Sequence, residues 1–208
     1  MSILVLTSDT LSSPAAAGQI EYTSPIFAAT PIGTQRGIVP TQQYYRLNAD
    51  YAGSNATGAQ SLFGVGATLS ASTVYELEMS VVLNKTAGTT SHTVSMLFGG
   101  TATLNNIFYG GVFNTISSSF TSQTDAGASS ISSTTASAVS LVTGAVSAGR
   151  YLEIYVKGTV SINAGGTFIP QYILSAAPGG AYSTTAGSYI RINPLSASGA
   201  ATNVGTWA

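Results

Sequence analysis

The chain contains no cysteine, so neither a disulfide framework nor a thiolate metal site is open to it. Charge is nearly as scarce. Asp, Glu, Lys and Arg together make 6% of the 208 residues, against about 25% in an average soluble domain. The six basic residues form no run and the formal net charge is −1. Nucleic-acid binding needs clustered Lys and Arg to neutralise phosphates, so that class is set aside. No stretch approaches the roughly 20 apolar residues of a membrane helix. Ile3-Leu4-Val5-Leu6 followed by Ala15-Ala16-Ala17 loosely mimics a signal peptide. The apolar run is four residues long, no basic residue precedes it, and Asp9 follows closely, so a soluble chain without an export signal is expected.

What is present argues for a folded, assembling protein. The 44% hydrophobic content and 11 tyrosines argue against a disordered low-complexity chain. The length suits one domain, or one domain with an ordered arm. Ser, Thr, Gly and Ala take the surface positions that Lys and Glu normally hold. Such a skin has little charge to keep neighbours apart, and is tolerable where other subunits cover it.

Residues 1–42 read as an extended N-terminal arm used for attachment. Pro14, Gly18, Pro25, Pro31, Gly33, Gly37 and Pro40 interrupt it every few residues, leaving room for short extended pieces such as Ile20–Tyr22 and Ile26–Ala28. Its most apolar run, Ile3, Leu4, Val5 and Leu6, is the candidate partner-binding segment. From Gln43 the pattern turns to strands. Tyr75, Leu77, Met79, Val81 and Leu83 alternate with Glu76, Glu78 and Ser80. Val94, Met96 and Phe98 alternate with Thr93 and Ser95. Both have the period of two of half-buried strands, and the Gly-containing loop 85–90 between them predicts a hairpin. Leu152, Ile154, Val156, Val160 and Ile162 share a third inward row, broken by Gly158, which predicts a bulge or a close backbone approach. Asn163 to Gly166 turns the chain into a strand over 167–174. Weaker candidates are 44–48, 103–108, 116–121, 137–143 and 189–193, and the Ser/Thr-rich stretch 117–138 reads as an edge strand or loop. Residues 43–208 are therefore expected to form an all-β domain, an antiparallel jelly-roll-like β-sandwich, preceded by the arm.

Groups able to do chemistry are few. His92, the single histidine, falls on the side of Val94 and Met96. It reads as a residue hydrogen-bonded to a loop rather than a general base, which would need an orienting partner. Glu76 and Glu78 share a strand face, where the carboxylate pair of a glycoside hydrolase could sit. Same-strand neighbours on a solvated face are far more often solubilising charges, here free to pair with Lys157 or Arg191. No Asp-rich calcium loop or complete dinucleotide loop is present. Tyr44, Tyr45, Tyr51, Tyr109, Tyr172 and Tyr182 are candidates for a sugar-binding face or a subunit interface. The expectation is a non-enzyme with no catalytic, metal or cofactor residues.

Three stretches carry a resemblance: Ala16 to Tyr22 with Arg36 to Pro40; Asn84 to Val94 running on through Phe98 to Leu104; and Gly165 to Gln171 with Gly187-Ser188-Tyr189 and Val204 to Trp207. They resemble a family of tailed-bacteriophage virion structural proteins. The resemblance covers most of the chain from Gln43 and implies a homotrimeric jelly-roll head exposed on a virion assembled in the host cytoplasm, with no catalytic residues. The short preceding arm points to a capsid decoration or cement protein bound to the major capsid protein or another virion protein. The alternative is a short tail-fibre head that meets a host surface glycan. A carbohydrate-active enzyme using Glu76 and Glu78 ranks last.

Overall fold

The computed structural model describes residues 6–116, 127–199 and 201. Short apolar runs punctuated by Gly and Pro become strands, and no helix occurs among these residues. In chain order the strands are β1 (Gln19–Thr23), β2 (Ile26–Ile32), β3 (Gln35–Val39), β4 (Gln43–Arg46), β5 (Tyr51–Ala52), β6 (Gln60–Ser61), β7 (Ala67–Leu69) and β8 (Thr73–Lys85). They continue with β9 (His92–Gly99), β10 (Thr103–Ile116), β11 (Gly127–Ser133), β12 (Val139–Ala145), β13 (Arg150–Ala164), β14 (Gly166–Leu174), β15 (Ser183–Thr184) and β16 (Tyr189–Ala197).

Four sets of antiparallel pairings define the sandwich. β4 pairs with β16, β6 and β7 with β14, β8 with β13, and β9 with β12. The strands outermost in the chain pair first and the pairs close inward, as in one long hairpin rolled over on itself. The β8–β16 and β9–β14 pairings then join these into two sheets, β4-β16-β8-β13 and β6/β7-β14-β9-β12. This order is jelly-roll-like. The β10–β11 hairpin is inserted between β9 and β12, and extends the first sheet beyond β13. The Ser-rich strand β11 is therefore an edge, while residues 117–126 lie outside the described residues.

Alternation in sequence becomes alternation in burial. Tyr75, Leu77, Met79, Val81 and Leu83 on β8, and Leu152, Ile154, Val156, Val160 and Ile162 on β13, are all buried. They face Val94, Met96 and Phe98 on β9 and Phe168, Tyr172 and Leu174 on β14. Phe98 stacks on Phe168 at 4.9 Å and meets Tyr109 of the opposite sheet edge-on at 5.2 Å, tying the layers together. Each fully buried aliphatic side chain contributes about 1.5–3 kcal/mol before entropy is counted. Gly158 marks a close approach and not a bulge. Its pairing with Tyr109 and Leu77 runs on without a shift, and a Cβ there would lie 2.1 Å from the Phe108 carbonyl oxygen. The irregularity falls instead at Leu104–Asn106.

One expectation is corrected. The strands flanking loop 85–90, β8 and β9, do not form a hairpin but belong to opposite sheets. A period of two records which side chains face inward. It is equally satisfied at a corner that crosses the ~10 Å between two sheets. Gly88 makes that corner possible. It has φ +83, and a Cβ on it would lie 2.2 Å from the Pro178 carbonyl oxygen, so loop 86–90 seats directly on loop 178–180.

Ahead of the sandwich, the short extended pieces at Ile20–Tyr22 and Ile26–Ala28 are paired with each other, as parts of the antiparallel meander β1-β2-β3. One face, with Glu21, Ala28 and Ile38 in register, lies beneath the preceding segment. That segment is held by the Arg36 guanidinium donating to the Ser12 carbonyl (2.6 Å) and to Glu21 (2.8 Å), the Ser12 N–H donating to Glu21 (2.7 Å), and the Asp9 N–H donating to the Tyr22 carbonyl (3.1 Å).

Candidate functional site

The opposite face of the meander is apolar and open. Register places Ile20, Tyr22, Phe27, Ala29, Gly37 and Val39 on it together. Ile20 is 70% and Val39 40% exposed, beside Tyr22 and Phe27 stacked at 4.7 Å. A sheet of three short strands has too little core to stabilise itself, and this one leaves its best apolar surface in water. Of the proposed partner-binding residues, Ile3, Leu4 and Val5 lie outside the described residues, and Leu6 is exposed.

On the sandwich, charge is distributed unequally. The strands β6, β7, β9, β12 and β14 contain no Asp, Glu, Lys or Arg. The outer face of the other sheet carries Arg46, Glu76, Glu78, Glu153, Lys157 and Arg191. There the two carboxylates singled out from the sequence are both paired. Lys157 Nζ lies 3.3 Å from Glu76. Arg191, directly across from Glu78 in register, donates to it, and the Tyr189 hydroxyl donates to its other oxygen at 3.0 Å. The Arg191 guanidinium holds the Glu78 carboxyl below its usual range against the opposing effect of burial, whereas a general acid needs the reverse shift. Aromatic groups share this face: Tyr155 sits across from Val112, and Phe108 is 57% exposed nearby.

At one end of the sandwich, His92 is buried with both ring nitrogens occupied. Nδ1 lies 2.8 Å from the Thr90 carbonyl and Nε2 lies 2.9 Å from the Tyr182 hydroxyl. A carbonyl can only accept, so Nδ1 carries the proton and Nε2 accepts from Tyr182. Neither nitrogen is left to take a substrate proton or a metal. Burial pushes the Tyr182 phenol far above its ordinary value. Beside it, the buried Lys85 ammonium donates to the carbonyls of Gly88 (2.6 Å), Ser147 (2.7 Å) and Ala87 (3.4 Å), 6.0 Å from the Tyr182 ring centre. Burial lowers its pKa. Lys85 was missed from the sequence although its parity, two residues beyond Leu83, already placed it inward.

The tyrosine candidates separate. Tyr109, Tyr172 and Tyr182 are buried core residues; Tyr172 donates to Gln60 at 2.8 Å and burial raises its phenol to about 12. Tyr44, Tyr45 and Tyr51 are exposed. Among the described residues no group of three or more His, Cys, Asp or Glu is placed to hold a metal, and no helix is long and apolar enough to cross a membrane. No protein-family model matches the chain, and no curated protein or solved structure matches it significantly.

Proposed function

We propose that the chain is a structural subunit that works by associating with copies of itself, a virion jelly-roll head rather than an enzyme. The observation that carries this reading is the open apolar face of the meander, set beside a sandwich in which one whole sheet carries no charge. Exposed apolar surface rimmed by polar residues marks interaction sites. A pale, uncharged sheet removes the repulsion that keeps subunits apart. Three copies bringing Ile20, Phe27 and Val39 together would bury the face that each leaves open, and the resemblance to tailed-phage virion proteins supports a trimer.

The meander also bears on position in the particle. A decoration protein tethered by an extended arm needs a segment free to lie along the capsid. Residues 19–39 are instead paired into a folded collar, which favours the head of a short fibre over capsid decoration. Antibody labelling of intact particles separates the two, with a few copies at the tail expected and a coat over the head restoring the decoration reading.

The assembly itself is tested on the full chain by light scattering coupled to gel filtration, comparing wild type with the Ile20→Ser/Val39→Ser double variant. The wild type is expected as a trimer and the variant as a monomer with an unchanged sandwich melting transition, because neither side chain belongs to the sandwich core. A wild type that stays monomeric at high concentration would sink the proposal.

A further inference from the structure

At one end of the sandwich the inward rows of β8 and β13 both finish on a cation. Lys85 lies two residues beyond Leu83 and Arg150 two before Leu152, so each continues the inward parity of its strand. The two are directly across from each other in register. Like charges opposed on neighbouring strands repel, yet a chain with six basic residues places two of them here. We propose that this corner binds a small oxyanion, a phosphate or a carboxylate group, clasped by the Arg150 guanidinium.

The first observation is an unfilled donor. Arg150 is partly covered, and its buried Nε–H has no hydrogen-bond partner among the described residues. The ion pairs among those residues join Arg36 to Glu21, Lys157 to Glu76 and Arg191 to Glu78, so Arg150 has no carboxylate there either. The second observation is the charge beside it. Lys85 Nζ is surrounded by the carbonyls of Gly88, Ser147 and Ala87, which satisfy its donors but leave its charge uncancelled. Burial, and after it the Arg150 charge, lower the Lys85 pKa, so the two cations lie within reach of each other's field. His92 and Tyr182 close the same corner, but they are bound to each other and to the Thr90 carbonyl. Burial keeps the Tyr182 phenol protonated, so neither brings negative charge.

Together these two deficits select the ligand. A neutral acceptor could satisfy the Nε–H but would leave two positive charges facing each other; an anion answers both. The planar guanidinium offers Nε–H and an adjacent Nη–H in parallel, a fork that two oxygens of one phosphate or carboxylate match. A halide supplies the charge without that geometry. Lys85 acts through its field alone, because its carbonyl partners already take its donors. The frame is fixed before any ligand arrives. Gly88 is seated against Pro178 and Gly179, the Thr90 N–H donates to the Pro178 carbonyl at 3.3 Å, and Lys85 ties this loop to Ser147, just ahead of Arg150.

The test follows the Arg150 Nε–H by proton–nitrogen NMR on the full chain, its resonance assigned by its loss in Arg150→Met. Sodium phosphate and sodium acetate are titrated at constant ionic strength, with sodium chloride as the balancing salt and the control. At least one oxyanion is expected to shift the resonance saturably at millimolar concentration and to raise the melting temperature. Arg150→Met should weaken binding about tenfold or more, read at the neighbouring Gly149 amide, and should lose the thermal response. Phosphate also stabilises proteins through exclusion from their surface, an effect the variant shares and which is subtracted by it. In chloride alone the variant should be no less stable than wild type, because the stem is kept and one of two opposed cations is gone. Shifts that never saturate or that chloride reproduces, or equal stabilisation of both proteins by the oxyanions, would overturn the site. So would a variant much less stable than wild type in chloride, since Arg150 would then already have its partner within the fold.

Discussion

The sandwich and the meander ahead of it are built from similar short strands but solve the burial problem in opposite ways. In the sandwich, two sheets share one continuous core, from Leu62 and Phe63 to Leu141 and Leu152, so the inward face of each sheet has an opposite layer. The meander buries Ile26, Ala28 and Thr30 and leaves Ile20, Tyr22, Phe27 and Val39 on the side without a layer. Strand propensity and register are alike in the two regions. What differs is whether the chain supplies its own second layer, and where it does not, the open face is the surface we propose for assembly.

If that contrast is correct, the sandwich transition responds strongly to core truncation and hardly at all to changes in the meander. The largest effect is expected for Leu77→Ala. Leu77 is fully buried at the centre of β8, flanked by Gly158 of β13 and Ile192 of β16 in register. The lost transfer energy and the residual cavity together cost about 2–5 kcal/mol, read as a fall in the urea midpoint followed by circular dichroism. A loss no greater than that of Ile20→Ser would erase the distinction between the two regions.

A smaller effect is expected at Lys85, which closes the corner between the sheets. In Lys85→Met the carbonyls of Gly88 and Ser147 lose their charged donor, at a cost of about 1–3 kcal/mol. The pH dependence gives an independent reading. Burial lowers the folded-state pKa of Lys85 below its unfolded value, so at neutral pH holding the charge in the fold is a penalty. Wild-type stability therefore rises as pH climbs through the lowered pKa toward the ordinary lysine range. The Met variant lacks that rise, and parallel curves for the two proteins would place the ammonium in water.

Much of the sandwich was legible in the sequence. The rows 75–83, 94–98 and 152–162 alternate so regularly that both faces could be assigned, and burial follows them except at Glu78 and Ser161, which are outward in parity but covered by neighbours. Which strands pair was not legible, because Lys85 to Thr90 has the Gly and polar composition that serves a hairpin and a sheet-crossing corner equally well. The Glu78–Arg191 and Glu76–Lys157 pairs could be anticipated, since outward parity limits the partners available to a carboxylate in so sparsely charged a chain. The aromatic contacts along the β4–β16 edge could not. Tyr44 meets Tyr189, and Phe63 meets Tyr45, through contacts that local patterning does not encode. In the meander, Pro and Gly spacing revealed short extended pieces, but only register shows that Ile20, Phe27 and Val39 form one face.

The smallest effect sharpens the comparison most, because each region contains one carboxylate titrating below the ordinary 4.5. Glu78 is lowered chiefly by Arg191, and Glu21 chiefly by the Ser12 backbone N–H. Both contribute stability that is fully present above the unfolded pKa and is lost as pH falls through the folded one. The structural consequences differ. Glu78 sits on a face whose core lies behind it, so Glu78→Gln removes about 1 kcal/mol or less at neutral pH and flattens the acid limb of the melting curve. Glu21 clasps the segment that covers the inner face of the meander through Ser12 and Arg36. Acidification should accordingly release Ser12 before it unfolds any strand of the sandwich. Amide exchange followed by NMR is expected to show protection at Ser12 collapsing at a pH where Leu77 and Ile154 remain fully protected, with the same early loss at neutral pH in Glu21→Gln. Simultaneous loss at all three amides would mean that meander and sandwich melt as one unit, and the contrast between them would fail.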